Sequence, residues 1–299
     1  MSPAPYLSVL VPTYRTGGLD VLFSGLANQT FKDFELVLVD ALWRGRKAIT
    51  RLHNAGGNFT VQHLEPKPIS ATWPACSFCA FANAGISVAC GTVIIQFADY
   101  TWAPPDLLAK HAKFHQTGKG PLGFMGPQQY LAMPPLDARF PKYEHGDLVH
   151  YAGDIELGAL DPLLWSIFAA PMTPASHPDL TSLDPIHGGA DLKLKCDPGR
   201  IEAKFFHAKN ESFKRTDALA INGYDLDLDG TNLYQDTDFA ERLTIHRNVD
   251  WYVDPTAVAY IVNPRHIFPR PQYNRPSESN LAIWQEKKKA GYPPVRGIR

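Results

Sequence analysis

The stretch 210–243, NESFKRTDALAINGYDLDLDGTNLYQDTDFAERL, concentrates the residues best suited to chemistry. Asp236 and Asp238 stand two positions apart where a helix begins. Unpaired N–H groups and the helix dipole favour carboxylates there, so an isolated Asp-x-Asp reads as N-capping. Upstream, Gly223-Tyr224-Asp225 is a turn that stops an earlier helix, since Gly takes φ > 0 cheaply and Asp caps well. Cys76-Ser-Phe-Cys79 is a C-x-x-C with redox spacing, but no second pair stands at zinc spacing. All four cysteines (76, 79, 90 and 196) read as reduced, mostly buried thiols, Cys90 lying in an Ala/Gly-rich segment. His187-Gly188-Gly189 reads as a turn.

Short apolar runs must position these groups. Residues 6–12 (YLSVLVP) and 34–40 (FELVLVD) have the character of buried parallel strands, joined by a helix at 19–28. This spacing predicts a right-handed βαβ unit. Ligands of such open sheets sit beyond the carboxyl ends of the strands, which puts Thr13, Tyr14 and Asp40 at one rim. Further strands are expected at 61–64, 92–97 and 122–126, with helices at 80–89, closed by Gly91 as a C-cap, and at 106–115. Residues 210–221 read as a strand running into a helix. The helix that follows carries Phe239, Leu243 and Ile245 as its apolar side. Two short strands at 251–254 and 257–262 precede a Pro-rich tail with a helix at about 278–289. The tail's basic end (Lys287, Lys288, Lys289, Arg296, Arg299) would wrap the domain, dimerise, touch a polyanion or simply be solvated. Residues 127–199 are Pro-rich and lack helical periodicity; the aromatics of 140–151 and 165–168 line a cleft or form a satellite core.

Three segments in order, Asn210-x-Ser212-x-x-Arg215, Gly223-Tyr224-Asp225 and Asp236-x-Asp238-Phe239-x-x-Arg242-Leu243, resemble the second half of family 2 glycosyltransferases. The first half is similar too, with Val-Pro-Thr-Tyr at 11–14, Val39-Asp40, the set Asn83, Gly85, Ile86, Ala89 and Gly91, and Trp102-x-Pro104-Pro105. The resemblance implies an α/β fold of the GT-A type, a single domain with a mostly parallel Rossmann-like sheet flanked by helices. That domain spans 5–263: a nucleotide-sugar half at 5–126, an elaborated acceptor region at 127–200, and an acceptor and base half at 201–263. A C-terminal extension occupies 264–299.

The same resemblance implies transfer, with inversion, from a nucleoside diphosphate sugar, a UDP-sugar first, to an acceptor hydroxyl. Asp236 takes the position of the general base. Pro12, Thr13, Tyr14, Arg15, Asp40, Asn83 and Asp99 take those of donor contacts, and Trp102, Asn210, Asp238 and Arg242 those of acceptor or loop support. A carboxylate at 40 can accept from a base N–H or a ribose hydroxyl; capping its loop is the plainer role. Divalent metal, Mn2+ or Mg2+, would sit at Asp99 with His266 as a second ligand, bridging the diphosphate. Four departures stand out. Gln235 replaces a glutamate and Ala82 an arginine; Asp40 leads into Ala-Leu-Trp, which moves diphosphate contacts to Arg44 or Arg46; and Asp99 is the one acidic residue of the expected Asp-x-Asp. Asp99 then suffices with another ligand, holds metal weakly, or belongs to a metal-independent site. The departures also permit an alternative, a degenerate GT-A domain that binds nucleotide or glycan without turnover.

Composition bounds the partners. Lys+Arg 29 against Asp+Glu 30 gives a formal net charge of -1, so no global field advertises nucleic acid. Modified nucleic acid such as hydroxymethylated DNA stays among the acceptors, beside glycans and small molecules, permitted by the missing membrane segment and the basic, aromatic-containing tail. No apolar run approaches about 18 residues, so no membrane span is expected, and the protein is expected in the cytoplasm.

Overall fold

Strands covered on both faces carry unbroken apolar runs, and the centre of this fold is built from three of them. A computed structural model describes residues 3–13, 19–41, 43, 47, 58–66, 77–99, 101–132, 192–231, 233–263 and 277–298. Its strands are β1 (Leu7–Thr13), β2 (Phe34–Asp40), β3 (Thr60–Leu64), β4 (Val93–Phe97), β5 (Thr101–Trp102), β6 (Leu122–Met125), β7 (Gln128–Ala132), β8 (Gly199–Ile201), β9 (Asn210–Lys214), β10 (Asp250–Val253) and β11 (Ala259–Asn263). Its α-helices are α1 (Leu19–Ala27), α2 (Phe78–Val88), α3 (Leu107–Thr117), α4 (Arg215–Ala220), α5 (Gln235–Arg247) and α6 (Ser277–Lys289).

Eight strands form one sheet in the order β3-β2-β1-β4-β9-β6-β10-β8, and β5-β11-β7 form a second. β3, β2, β1 and β4 run parallel. β9 enters antiparallel between β4 and β6, and β8 is antiparallel at the edge. Leu7, Val9 and Val11 face one core with Leu22, Phe23 and Leu26 of α1 and Leu107 and Leu108 of α3. Leu10, Val37 and Val39 face the other, with Phe81 and Ile86 of α2 and Phe239 and Leu243 of α5. Helices therefore cover both faces, which is why these strands show no alternation in sequence. The antiparallel β9 splices the second half of the chain into the first half's sheet, pairing Asn210 with Phe97.

Three local expectations change. Ile245 is exposed, because α5 buries Arg242 and Ala240 beside Phe239 and Leu243 and turns residue 245 outward. Gly91 is not a helix cap: α2 ends at Ala89 in an extended conformation, and Gly91 instead lets the chain pass β1, where a Cβ would fall 2.6 Å from the Ser8 nitrogen. Cys90 is exposed, whereas Cys79 is buried; both are free thiols, as is Cys196. Cys76 and the aromatics of 140–151 and 165–168 lie outside the described residues.

A polar seam runs under β9. Ser212 Oγ bonds His111 Nδ1 at 2.8 Å and His115 Nε2 at 2.9 Å, while His111 Nε2 meets Asn210 Oδ1 at 3.1 Å. Burial pushes His111 down to about 4 and His115 to about 3, so both rings are neutral at pH 7. An unfolded chain takes up these protons near 6.5. The histidines' contribution to stability is thus fully present above that pH and lost as pH falls toward 4. Thermal melts at pH 7 and pH 5 test this. His115→Gln should lose less stability between the two pH values than the parent does, and equal losses would mean that His115 titrates normally.

Candidate active site

The carboxyl ends of β2, β1 and β4 lie side by side. Thr13 pairs with Asp40 in register, and its hydroxyl donates to Asp99 Oδ2 at 3.0 Å just past the end of β4. All three side chains are nearly or wholly buried. Asp40 Oδ2 sits 3.0 Å from His63 Nε2 at the end of β3, and the His63 carbonyl accepts from Trp43 Nε1 at 3.1 Å. Pro12 lies within β1 opposite Val39. Gln29 fixes the approach to Trp102: its amide donates to Gly25, Ala103 and Pro104 carbonyls and accepts from Leu108 N–H. Trp102 packs 5.7 Å from Tyr260 across the second sheet. Tyr14, Arg15, Arg44, Arg46 and His266 lie outside the described residues.

Asn83, expected at the donor, is committed elsewhere. Its amide donates to the Tyr224 carbonyl at 2.8 Å and accepts from Tyr224 N–H at 2.7 Å. Asn210, expected near the acceptor, is likewise fully buried, donating to Pro127 and Ala257 carbonyls. Both asparagines hold turns together.

The acidic segment 225–238 divides into structural carboxylates and one other. Asp225 accepts from Asp227 N–H and pairs with Lys287 at 2.6 Å. Asp229 receives Cys79 N–H at 2.7 Å and Ala80 N–H at 3.0 Å, capping α2 from outside. Asp227 faces Arg296 at 3.7 Å. Asp238 is buried with Arg242 Nε at 2.7 Å and also pairs with Lys287. Removing one partner of such a buried pair typically costs about 3–5 kcal/mol, so Asp238 and Arg242 are structural. Gln235 donates to the Thr231 carbonyl at 2.6 Å.

Asp236 differs from all of these. It lies in the first turn of α5, yet that helix takes no side-chain cap, and among the described residues Asp236 has no hydrogen bond or ion pair. Part of its surface remains open, and its charge disfavours ionisation of the buried Tyr224 and Cys79. Burial pushes it up to about 7, the Glu211 charge adding to the rise and Lys209 and Lys193 opposing it. Glu211 and Lys193 form a fully buried ion pair. Burial alone would raise Glu211, but Lys193 and the N–H groups of His207, Lys209 and Asn210 outweigh it and hold the carboxyl below its ordinary value.

This architecture superposes on solved structures. It matches Staphylococcus aureus TarS residues 1–349 with a TM-score of 0.54 at 14% identity, over 86% of this chain and 60% of that one. It also matches the mannosyltransferase PcManGT from Pyrobaculum calidifontis, solved in complex with GDP-Man and Mn2+, with a TM-score of 0.50 at 13% identity, over 98% of this chain and 73% of that one. The fold is that of a GT-A glycosyltransferase. No protein-family model and no curated protein matches the sequence. Among the described residues of this GT-A domain no three His, Cys, Asp or Glu converge as a metal cluster, and no helix is long and apolar enough to cross a membrane. His63, Glu211 and Lys193 were not legible as site residues. His63 shows in sequence only as one residue of a short strand, and Glu211 only as the variable position between Asn210 and Ser212.

The raised carboxyl makes a stability prediction. A neutral Asp236 is tolerated when folded. That contribution is fully present below the unfolded value of 3.8 and is lost as pH rises through about 7. Asp236→Asn should therefore stabilise the GT-A domain at pH 8, by on the order of 2–4 kcal/mol, and hardly at all near pH 4. Melting curves at both pH values would count against the desolvated carboxyl if the two shifts were equal.

Proposed function

We propose that this chain is an inverting glycosyltransferase of the family 2 type, moving a sugar from a nucleoside diphosphate sugar to an acceptor hydroxyl with Asp236 as general base. One observation carries the reading: in a segment where every other carboxylate is engaged, Asp236 has no structural partner among the described residues and its carboxyl is raised to about 7. A base whose pKa lies near the working pH couples availability with proton affinity, and such catalysis contributes about 10²- to 10⁴-fold. The GT-A fold supports the class of reaction, since the mannosyltransferase that shares it was solved with a nucleotide sugar.

The donor is assigned to the rim of Thr13, Asp40 and Asp99. Asp40, held by His63, is suited to accept from a base N–H or ribose hydroxyl, and a UDP-sugar is the first candidate, with GDP-mannose second on the mannosyltransferase likeness. Asp99 is a hard oxygen ligand oriented by Thr13. One carboxylate with substrate phosphate oxygens is a usual Mg2+ donor set, so the residues present fit a divalent ion held jointly with the donor. Such an ion, when bound, neutralises the departing diphosphate. Glycan, small-molecule and modified nucleic-acid hydroxyls remain the acceptor classes.

The test is nucleoside diphosphate release from UDP-, GDP- and dTDP-sugars, with and without Mn2+. Release from one donor is expected, activity rising with pH through about 7 as Asp236 ionises. Asp236→Asn should lower kcat by about 10²- to 10⁴-fold with donor KM little changed. Asp99→Asn should instead raise the metal and donor concentrations required. Full transfer by Asp236→Asn would remove the base assignment, and silence with every donor, together with no nucleotide-induced thermal shift, would remove the donor site. A thermal shift without turnover would leave a binding domain.

A further inference from the structure

The turn that delivers Asp236 is strained and is gripped from outside the sheet. Leu233 and Tyr234, the residues just before α5, hold φ of 81° and 66° in succession. A left-handed conformation is unfavourable for any side chain with a Cβ, and two bulky residues keep it only where surrounding contacts impose it. Those contacts come from α6. Fully buried Asn280 donates its amide to the carbonyls of Leu228, at 2.8 Å, and Leu233, at 3.0 Å. Trp284 stacks on Tyr234 with centroids 5.2 Å apart and planes at 24°, its Nε1 donating to Glu241 at 3.0 Å. Lys287 bridges Asp225 and Asp238, closing the two ends of the segment with one ammonium.

Residues 280, 284 and 287 recur at the spacing of one helix face. The chain beyond α6 continues the grip. Leu226 N–H donates to the Arg296 carbonyl at 2.8 Å, Ile298 N–H to the Asn222 carbonyl at 3.1 Å, and the Asn222 amide to the Val295 carbonyl at 2.9 Å.

We propose that α6 is a positioning clamp for the base: Asn280, Trp284 and Lys287 hold the strained turn at Leu233 and Tyr234 and the residues around it so that Asp236 presents its carboxylate to the acceptor, without themselves touching the reacting atoms. The inference rests on Asp236 being the base. It makes residues 277–298 part of the catalytic half, whereas donor binding, set by the sheet rim, does not depend on them. A misplacement of about 1 Å in a catalytic group can lower a rate by about 100-fold, so the clamp governs turnover rather than donor affinity.

The test uses the full chain and its variants Asn280→Ala, Lys287→Met and Lys287→Arg, with Asp236→Asn alongside. Two readouts are taken: hydrogen exchange by mass spectrometry, and steady-state kinetics with the donor that the release assay identifies. In Asn280→Ala and Lys287→Met, amides of 226–240 should exchange at least about tenfold faster, while peptides of β1, β2 and β4 stay as protected as in the parent. Their kcat should fall roughly 10- to 100-fold with donor KM within about twofold, and Lys287→Arg should recover most of the loss. Unchanged exchange at 226–240 overturns the clamp. So does a donor KM that worsens in step with kcat, or an arginine no better than methionine. Should the parent release no nucleotide, or Asp236→Asn match it, the base reading fails instead, and the exchange data alone then decide whether α6 holds the segment.

Discussion

Two hydrogen bonds from Asn83 to the backbone of Tyr224, across 141 positions of sequence, make one site out of two halves of the chain. They need a glycine beside them: Gly223 has φ 71°, and a Cβ there would fall 2.2 Å from Asn83 Oδ1. With the turn fixed, the Tyr224 ring enters the core and stacks on Phe239 with centroids 4.1 Å apart and planes at 5°. Its hydroxyl donates to Gln96 of β4 at 2.6 Å. Phe239 lies three residues beyond Asp236 on α5, and Gln96 three before Asp99. A single tyrosine thus refers α5, which carries the proposed base, and β4, which leads to the proposed donor rim, to the same point.

The electrostatics follow from which carboxylates that packing leaves unpaired. Asp225, Asp229 and Asp238 are each met at close range by N–H groups or cations. Asp236 has no such close partner among the described residues, and burial outweighs the pull of Lys209 and Lys193. The neighbouring Lys193–Glu211 pair does not undo the effect, because a cation already matched to a carboxylate leaves little net field at a third group. The raised pKa is therefore a product of absent contacts as much as of present ones. It weakens the fold at neutral pH, the pattern expected where function and local consistency part, which fits the proposed role of Asp236 as base.

Much of this was visible in the chain. The runs at 6–12 and 34–40 are strands because both their faces are covered, and a run that is apolar throughout is legible without knowing its partners. Thr13 and Asp40 share a rim because each closes one of these parallel neighbours and the two strands pair in register to their ends. Asp236 and Asp238 look equivalent in sequence and are not, since Arg242 one turn on and Lys287 beyond both choose Asp238. Asn83 has the spacing of a donor contact, yet its partner is a backbone that no local pattern reveals. His63 pairs with Asp40 across 23 positions, and Ile245 falls outward because it lies off the face of α5 that buries Phe239, Arg242 and Leu243. Local rules found most of the elements but not the short strands β5, β7 and β8; contacts across the fold decided which side chains stayed available.

The two halves of the site differ in how they are held, and this shapes what each can tolerate. Thr13 and Asp40 end adjoining parallel strands packed on both faces, and Asp99, in the turn just past β4, is bonded to the Thr13 hydroxyl. Asp236 stands at the end of a segment with successive left-handed residues, bound by side chains that arrive from the far C-terminal part of the sequence. On the proposed function, a rigid rim suits the nucleotide part of the donor, and a separately supported segment suits the acceptor. The proposed acceptor side and the proposed donor rim are thus held by different elements that meet at Tyr224, which bonds Gln96 of β4 and stacks on Phe239 of α5.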